Sequence, residues 1–183
     1  MKRRRILGTL GEEGGYLTCS MYVAHKKKPA YSIAPYSTFE AAVDALKRGE
    51  ISLVLVPGAY PSISKFIMDK DIFVKKTFVK RIPPLVVATK KHTVLNCYTD
   101  FRKIYLHEAT LCMIDELDLI KTIEIKKVTS NIDACKYMLH DQNCHCVAIT
   151  NLLCANYFNA KIIKVIRKGI RMPWVIFAKK TNE

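Results

Sequence analysis

The first segment that could bind a ligand follows the apolar run at positions 6–10. There the sequence reads Gly11-Glu-Glu-Gly-Gly15, and the next apolar residues recur at helical spacing. A loop that joins a strand to a helix can direct the backbone N–H groups of the helix start toward an anion. The groups expected to bind a carboxylate are the Thr9 hydroxyl and the N–H groups of Gly14, Gly15 and Tyr16. The same glycines would equally serve only to make the turn.

Two further polar residues come at the end of a predicted strand. The strand-like stretch 104–107 ends at His107, and Thr110 is followed by apolar residues at helical spacing. Thr110 is therefore predicted to cap that helix and to face a ligand at the same time. His107 is either a ligand contact or an ordinary structural histidine.

Sulfur and imidazole groups gather at His140, Cys144, His145 and Cys146. Their spacing matches none of the usual paired zinc motifs, and a helix end followed by a buried strand start accounts for the same residues. We predict no metal site and no cofactor. The seven cysteines of the chain are odd in number and irregularly spaced, which predicts free thiols in a reducing compartment.

The elements that must position these residues alternate between strand and helix patterns. The clearest helix follows Ser37-Thr-Phe-Glu40, which has the form of a capping box, and ends before Gly49. A β-branched run at 51–56 then has the character of a buried parallel strand. Further along, Ser130 and Asn151 are predicted to begin two helices. The pattern occurs twice, at 1–80 and 85–165, with no Gly/Ser-rich linker. These features predict an α/β protein of two lobes, with mostly parallel sheets and helices on both faces.

The charge of the chain narrows the class of partner without choosing one. With 30 Lys and Arg residues against 16 Asp and Glu residues, the formal charge is +14. This favours nucleic acid, an acidic membrane surface or a small anion. Nucleic acid is disfavoured because the sequence has no recognisable reader module. No stretch reaches the roughly 20 apolar residues of a membrane span, and no secretory signal is recognisable, so we expect a cytoplasmic protein without membrane contact.

Several short motifs resemble one known family. They are Thr9-Leu-Gly-Glu-Glu-Gly14, Thr38-Phe-Glu-Ala41, Leu55-Val-Pro57, Leu106-His-Glu-Ala-Thr110 and Ala148-Ile-Thr-Asn151. In this order they resemble the prephenate dehydratase domain, whose fold is that of type II periplasmic binding proteins. The resemblance implies one lobe of about 1–82 plus a C-terminal strand at about 172–183, and a second lobe at about 83–171. It also implies a cleft for a small dicarboxylate and leaves no room for a regulatory domain.

The chain departs from the dehydratase pattern at two places. Where that family has Thr-Arg-Phe, this sequence has Met172-Pro173-Trp174, and where it has Asn-Ser, this sequence has Tyr60-Pro61. Ala59-Tyr60 and the Trp are similar to the branch that contains the bacilysin-pathway prephenate decarboxylase, although that branch has His at the position of Gly58. The likeness implies a carbon–carbon lyase that decarboxylates prephenate without forming an aromatic ring.

The departures also limit which side chains can act. Met172 and Pro173 remove a hydroxyl and a cation, which suits either retention of the ring hydroxyl or an inactive site. Arg171 is the nearest cation to the missing Arg, with Arg167 and Lys168 as competitors. Tyr60 either donates a phenol hydrogen bond or packs between the lobes. The sequence identifies no catalytic residue.

Three functions follow from these patterns. The first is a prephenate decarboxylase-like lyase in the biosynthesis of a non-proteinogenic amino acid or an antibiotic. The second is a non-catalytic binder of a prephenate-like or amino-acid ligand on the same fold. A divergent prephenate dehydratase is a further alternative to the decarboxylase. The third is nucleic-acid binding, supported only by the charge. A monomer and a homodimer are both left open.

Overall fold

The protein is described from a computed structural model that covers residues 5–12, 15–27, 30–94, 100–117 and 123–180. The chain divides into two compact units. Unit 1 comprises Met1–Ile82 and Arg171–Glu183, and unit 2 comprises Pro83–Ile170. Within the described ranges, no helix is long and apolar enough to cross a bilayer.

The strands and helices alternate along most of the chain. In chain order they are β1 (Arg5–Leu10), α1 (Cys19–His25), β2 (Tyr31–Tyr36), α2 (Phe39–Arg48), β3 (Leu53–Pro57), α3 (Ile63–Ile67), β4 (Ile72–Arg81), β5 (Leu85–Thr89), β6 (Lys103–His107), a 3₁₀ helix (Glu108–Glu116), β7 (Glu124–Val128), α4 (Asn131–His140), β8 (Cys146–Asn151), α5 (Leu152–Tyr157), β9 (Lys161–Arg167) and β10 (Arg171–Lys179). This order confirms the α/β class.

Each unit contains one mixed sheet. The strand order is β2-β1-β3-β10-β4 in unit 1 and β7-β6-β8-β5-β9 in unit 2. β1 runs parallel to β2 and β3, and β6 runs parallel to β7 and β8. β10 and β5 run antiparallel to both of their neighbours. Parallel and antiparallel pairs are thus equally frequent, rather than mostly parallel, because only the pairs within helical crossovers must be parallel.

The core of unit 1 forms where α2 covers the sheet. Phe39, Val43 and Leu46 recur on one face of α2 and are buried against β3 and β10. The Thr38 hydroxyl caps this helix by accepting from the Ala41 N–H group at 3.0 Å, so the cap lies one residue later than the predicted box at Ser37. Gly49 ends the helix with a φ of 81°, in the left-handed region that favours glycine.

The helices of unit 2 begin at side chains that accept backbone N–H groups. Ser130 caps α4 and Asn151 caps α5, as their sequence positions predict. The predicted helix at Thr110 is instead a 3₁₀ helix that starts at Glu108. His107 caps it, with Nδ1 accepting from the Ala109 N–H group. The prediction that Thr110 caps the helix is therefore wrong.

Candidate functional site

Thr9 lies near the end of β1 and is fully buried. Its hydroxyl donates to the Leu55 carbonyl oxygen at 2.8 Å and so ties β1 to β3. A hydroxyl has one proton, so this bond leaves Thr9 only its acceptor capacity. Thr9 therefore acts within the sheet rather than as a donor to a ligand carboxylate.

The glycine loop does not form the expected helix start. The helix α1 begins only at Cys19, with Thr18 as its cap, so Gly15 and Tyr16 precede it. The Gly15 N–H group donates to the Glu12 carbonyl oxygen at 3.0 Å, within the turn. The Tyr16 side chain is exposed and its ring lies 4.0 Å from that of His25. Gly14, also predicted to contact a ligand, lies outside the described residues.

Tyr60 follows β3, and both its ring and its hydroxyl contact other side chains of unit 1. Its ring packs on Phe39 and Phe66, with centroids 4.8 and 5.9 Å away, and its hydroxyl donates to Glu40 Oε1 at 2.6 Å. Burial, and then the carboxylate beside it, raise the pKa of Tyr60 to about 12. The phenol thus stays protonated at neutral pH. The sequence does not reveal Glu40, because it is distant in the chain and brought to Tyr60 by α2.

Pro173, a departure from the dehydratase pattern, contacts Gly58, a departure from the decarboxylase branch, within unit 1. A Cβ added at Gly58 would lie 2.6 Å from Cγ of Pro173, and the Gly58 N–H group donates to the Pro173 carbonyl oxygen at 2.8 Å. The proline ring therefore occupies the space that a side chain at Gly58 would need. Trp174 beside it is fully buried, and its indole N–H group has no hydrogen-bond partner among the described residues.

Three basic residues were candidates for ligand binding at the end of the chain. Arg167 is already paired with a carboxylate of unit 2, because its Nη1 atom donates to Glu116 Oε2 at 2.5 Å. Lys168 is exposed beyond the end of β9. Arg171 is the exposed first residue of β10 in unit 1, opposite Arg81, and forms no ion pair with a described residue. Like Arg171, Lys168 forms no ion pair with a described residue, but Arg171 is the one of these two that belongs to unit 1.

His107 and Thr110 lie together at the end of β6 in unit 2. The Thr110 hydroxyl donates to the His107 carbonyl oxygen at 2.7 Å and is buried. Burial lowers the pKa of His107, so the imidazole is neutral at pH 7. Because Nδ1 accepts from a backbone N–H group, the ring proton is on Nε2. His107 thus presents one N–H donor, a group suited to binding a carboxylate.

A polar cluster that sequence reasoning missed lies at the opposite end of β6. Asp141 Oδ2 accepts from Lys103 Nζ at 2.9 Å and from the Tyr105 hydroxyl at 2.8 Å. These contacts, the Lys103 hydrogen bond foremost, lower the pKa of Asp141 to about 2. A carboxylate that stays ionised, with satisfied partners, fixes the end of α4 to the sheet and is a poor general acid.

The described residues contain no group of three His, Cys, Asp or Glu side chains that could hold a metal ion. His140 ends α4 and Cys146 begins β8, where the buried thiol donates to the Asn143 carbonyl oxygen at 3.0 Å. These positions correspond to a helix end and a buried strand start.

Solved structures with the same arrangement of elements define the fold. The prephenate dehydratase of Arthrobacter aurescens, in complex with L-Phe, has a TM-score of 0.71 at 14% identity, over 97% of this chain and 61% of that chain. GqqA, described as a novel type of quorum-quenching acylase, has a TM-score of 0.64 at 17% identity, over 98% of this chain and 66% of that one. The methionine-binding protein MetQ has a TM-score of 0.61 at 13% identity, over 96% and 83%.

These likenesses show that the chain has the α/β fold shared by prephenate dehydratases and type II periplasmic binding proteins. The chain spans less than two thirds of the length of the dehydratase and the acylase. No known protein-family profile matches it, and no curated protein does. The fold is shared by enzymes and by ligand-binding proteins, so the function must be argued from the residues.

Proposed function

We propose that this chain binds a small carboxylate ligand, of the prephenate or amino-acid type, without transforming it. The observation that carries the proposal is the contact between Gly58 and Pro173. In the resemblance, the position of Pro173 belongs to an Arg that acts on substrate. Here a proline ring and a bare glycine backbone meet instead, so neither position offers an acid, a base or a charge.

The hydroxyls at the other predicted positions donate within the protein, so His107 and Arg171 are the groups that we expect to contact a carboxylate. The hydroxyls of Thr9 and Tyr60 donate to partners in unit 1, and that of Thr110 donates to the His107 carbonyl oxygen. His107 is neutral, and its Nε2–H group can donate a hydrogen bond to a carboxylate. Uncommitted Arg171 adds a cation in unit 1. An N–H donor and an exposed arginine are both groups that carboxylate recognition uses.

The second candidate is a prephenate decarboxylase-like lyase that serves the biosynthesis of a non-proteinogenic amino acid or an antibiotic. The specific observation in its favour is the pair of Tyr60 and Glu40, 2.6 Å apart, next to the Ala59-Tyr60 motif. Such a pair could pass a proton to a ring carbon as carbon dioxide leaves. The raised pKa of Tyr60 opposes this role, because a phenol with a pKa of about 12 is a weak acid at neutral pH.

The state of the cysteines supports the cytoplasmic location that we propose for this activity. All six cysteines in the described ranges carry free thiols, three of them buried. Free thiols are stable where glutathione and thioredoxin keep them reduced.

Titration calorimetry with prephenate, chorismate, phenylalanine and methionine tests the proposal. We expect saturable binding of at least one ligand that carries a carboxylate, and weaker binding by the variant Arg171→Gln. The matched control is Lys168→Gln, which removes an exposed charge of the same sign from unit 2 and should leave affinity unchanged. Absence of binding by all four ligands, or equal affinity in the two variants, would contradict the proposal and its use of Arg171.

A further inference from the structure

The strand β4 is an exposed edge of the unit 1 sheet. It is the last strand in the order, and β10 is its sheet neighbour. Residues 73–77 and 79–81 are all exposed, including the apolar side chains of Phe73, Val74 and Val79. An edge strand presents unpaired N–H and C=O groups that can pair with another chain.

The proline in β10 reveals which backbone groups of β4 face outward. Pro173 lies opposite Val79, and its carbonyl oxygen accepts from the Gly58 N–H group on the β3 side. Pro173 therefore shares no hydrogen bond with Val79, and the N–H and C=O groups of Val79 point away from β10. The N–H and C=O groups of successive residues in a strand point to opposite edges. Thr77 and Arg81, two residues from Val79, therefore also direct their backbone groups away from β10.

The side chains beside this free edge are basic and uncompensated. Lys76 and Lys80 flank Phe78, and the Lys27 ammonium group lies 3.8 Å from the centroid of the Phe78 ring. Burial, and then the charges of Lys76 and Lys80, lower the pKa of Lys27, as like charges in proximity must. None of these lysines forms an ion pair with a described residue. Two acidic residues precede β4: Asp69 is paired with Lys47, and Asp71 lies directly before Ile72, at the end of the strand away from Lys80.

The excess charge is a property of the whole unit. Unit 1 contains 18 Lys and Arg residues against 8 Asp and Glu residues, a formal excess of ten positive charges out of the +14 of the chain. Unit 2 contains 12 against 8. A negatively charged partner is therefore attracted to unit 1 in particular.

We propose that β4 of unit 1 binds an extended acidic segment of a partner protein, which adds a strand along Lys76–Arg81. Over this stretch the pairing with β10 is regular, and the register shift comes before it, between Ile176 and Phe177. The outward groups of Thr77, Val79 and Arg81 pair with the backbone of the added strand. Lys76, Lys80 and Arg81 attract its carboxylates.

Two other occupants fit the surface less well. A second copy of this chain would bring Lys76 and Lys80 against basic residues, and like charges across a strand pair are destabilising. Single-stranded nucleic acid binds through free aromatic faces on which bases stack. The ring of Phe78 is covered by Lys27, so it offers no such face.

Fluorescence anisotropy with a labelled synthetic peptide of alternating Glu and Val tests the proposal, with the Gln–Val peptide as the control. We expect the acidic peptide to bind at least about tenfold more tightly than the control, because opposite-charge pairs across strands are stabilising. Lys76→Glu/Lys80→Glu should weaken binding by about tenfold or more. The matched variant Lys126→Glu/Lys127→Glu reverses two neighbouring charges in unit 2 and should have no effect.

The variant Val79→Pro tests the strand pairing itself. It removes an outward N–H group that β10 does not use, so the sheet stays intact while the added strand loses a hydrogen bond. We expect at least about tenfold weaker peptide binding, with Val79→Thr unchanged. If Val79→Pro is unstable, hydrogen exchange of the wild-type protein decides, because bound peptide should slow exchange at Thr77, Val79 and Arg81. Equal binding of both peptides, tighter binding of poly(U) RNA than of the acidic peptide, or unchanged exchange at these amides would overturn the proposal.

Discussion

The contact between Gly58 and Pro173 predicts an unusual pattern of stability. In Gly58→Ala, the new Cβ would lie 2.6 Å from Cγ of Pro173 and 3.2 Å from its carbonyl oxygen. Neither the ring, fixed to the backbone, nor the carbonyl, bonded to the Gly58 N–H group, can move freely. Overpacking of this kind costs about 1–3 kcal/mol of unfolding free energy.

The same contact predicts that Pro173→Ala relieves the clash. Alone, Pro173→Ala should lower the free energy of unfolding by at most about 1 kcal/mol, because its main effect is to increase the conformational entropy of the unfolded chain. In the double variant the penalty of Gly58→Ala should fall, with a coupling of about 1–2 kcal/mol between neighbouring sites. Urea unfolding of the four proteins measures this coupling directly.

Gly49 supplies the control for this double-mutant cycle of Gly58→Ala and Pro173→Ala. It has open space where a Cβ would be, but its φ of 81° makes alanine unfavourable by about 1 kcal/mol. The penalties of Gly49→Ala and Pro173→Ala should therefore add to within about 0.5 kcal/mol. A tolerated Gly58→Ala, or a penalty that Pro173→Ala leaves unchanged, would refute the account of this contact.

Three other variants test side chains of the candidate site and of the missed cluster. Tyr60→Phe should cost about 0.5–1.5 kcal/mol by urea unfolding, because it loses the hydrogen bond to Glu40 but keeps the ring packing; ligand affinity by calorimetry should stay within about threefold. Asp141→Asn should cost about 1–2 kcal/mol at neutral pH. Because the pKa of Asp141 is lowered to about 2, the wild-type advantage should disappear as pH falls from about 4 to 2 in acid titrations of stability. His107→Ala should lose about 0.5–2 kcal/mol with the cap, and His107→Asn should recover most of it. Because the pKa of His107 is lowered, the wild type should lose stability below about pH 6.5, and urea unfolding of His107→Asn should show a smaller loss.

Local signals in the sequence predicted much of the fold. Ser130 and Asn151 cap their helices by accepting N–H groups three residues along, a contact that depends only on neighbours in the chain. The part of the run 51–56 that follows Ser52 is buried and forms most of β3, because a central strand needs apolar residues on both faces. The edge strand β4 gave no such signal, since it buries neither face and most of its residues are exposed. β2, half-buried along its length and interrupted by Pro35, was missed for a related reason.

The candidate site was less predictable, because contacts between distant residues decide its chemistry. The Thr9 hydroxyl was predicted as a ligand donor, but the pairing of β1 with β3 gives its proton to Leu55. Tyr60 acquires its partner Glu40 only when α2 packs beside it. The departures at Gly58 and Pro173 are visible in the sequence, but only the fold brings them together and gives them one physical meaning.

The central claim is that the chain binds a small carboxylate and leaves it unchanged. A single proton NMR experiment on prephenate with the pure protein tests both parts, because saturation transfer reports binding and the time course reports turnover. We predict saturation transfer to prephenate that an excess of a better-binding amino acid abolishes, with prephenate decaying at its spontaneous rate. Accelerated formation of phenylpyruvate or of a retained cyclohexadienol would contradict the claim and establish a dehydratase or a decarboxylase.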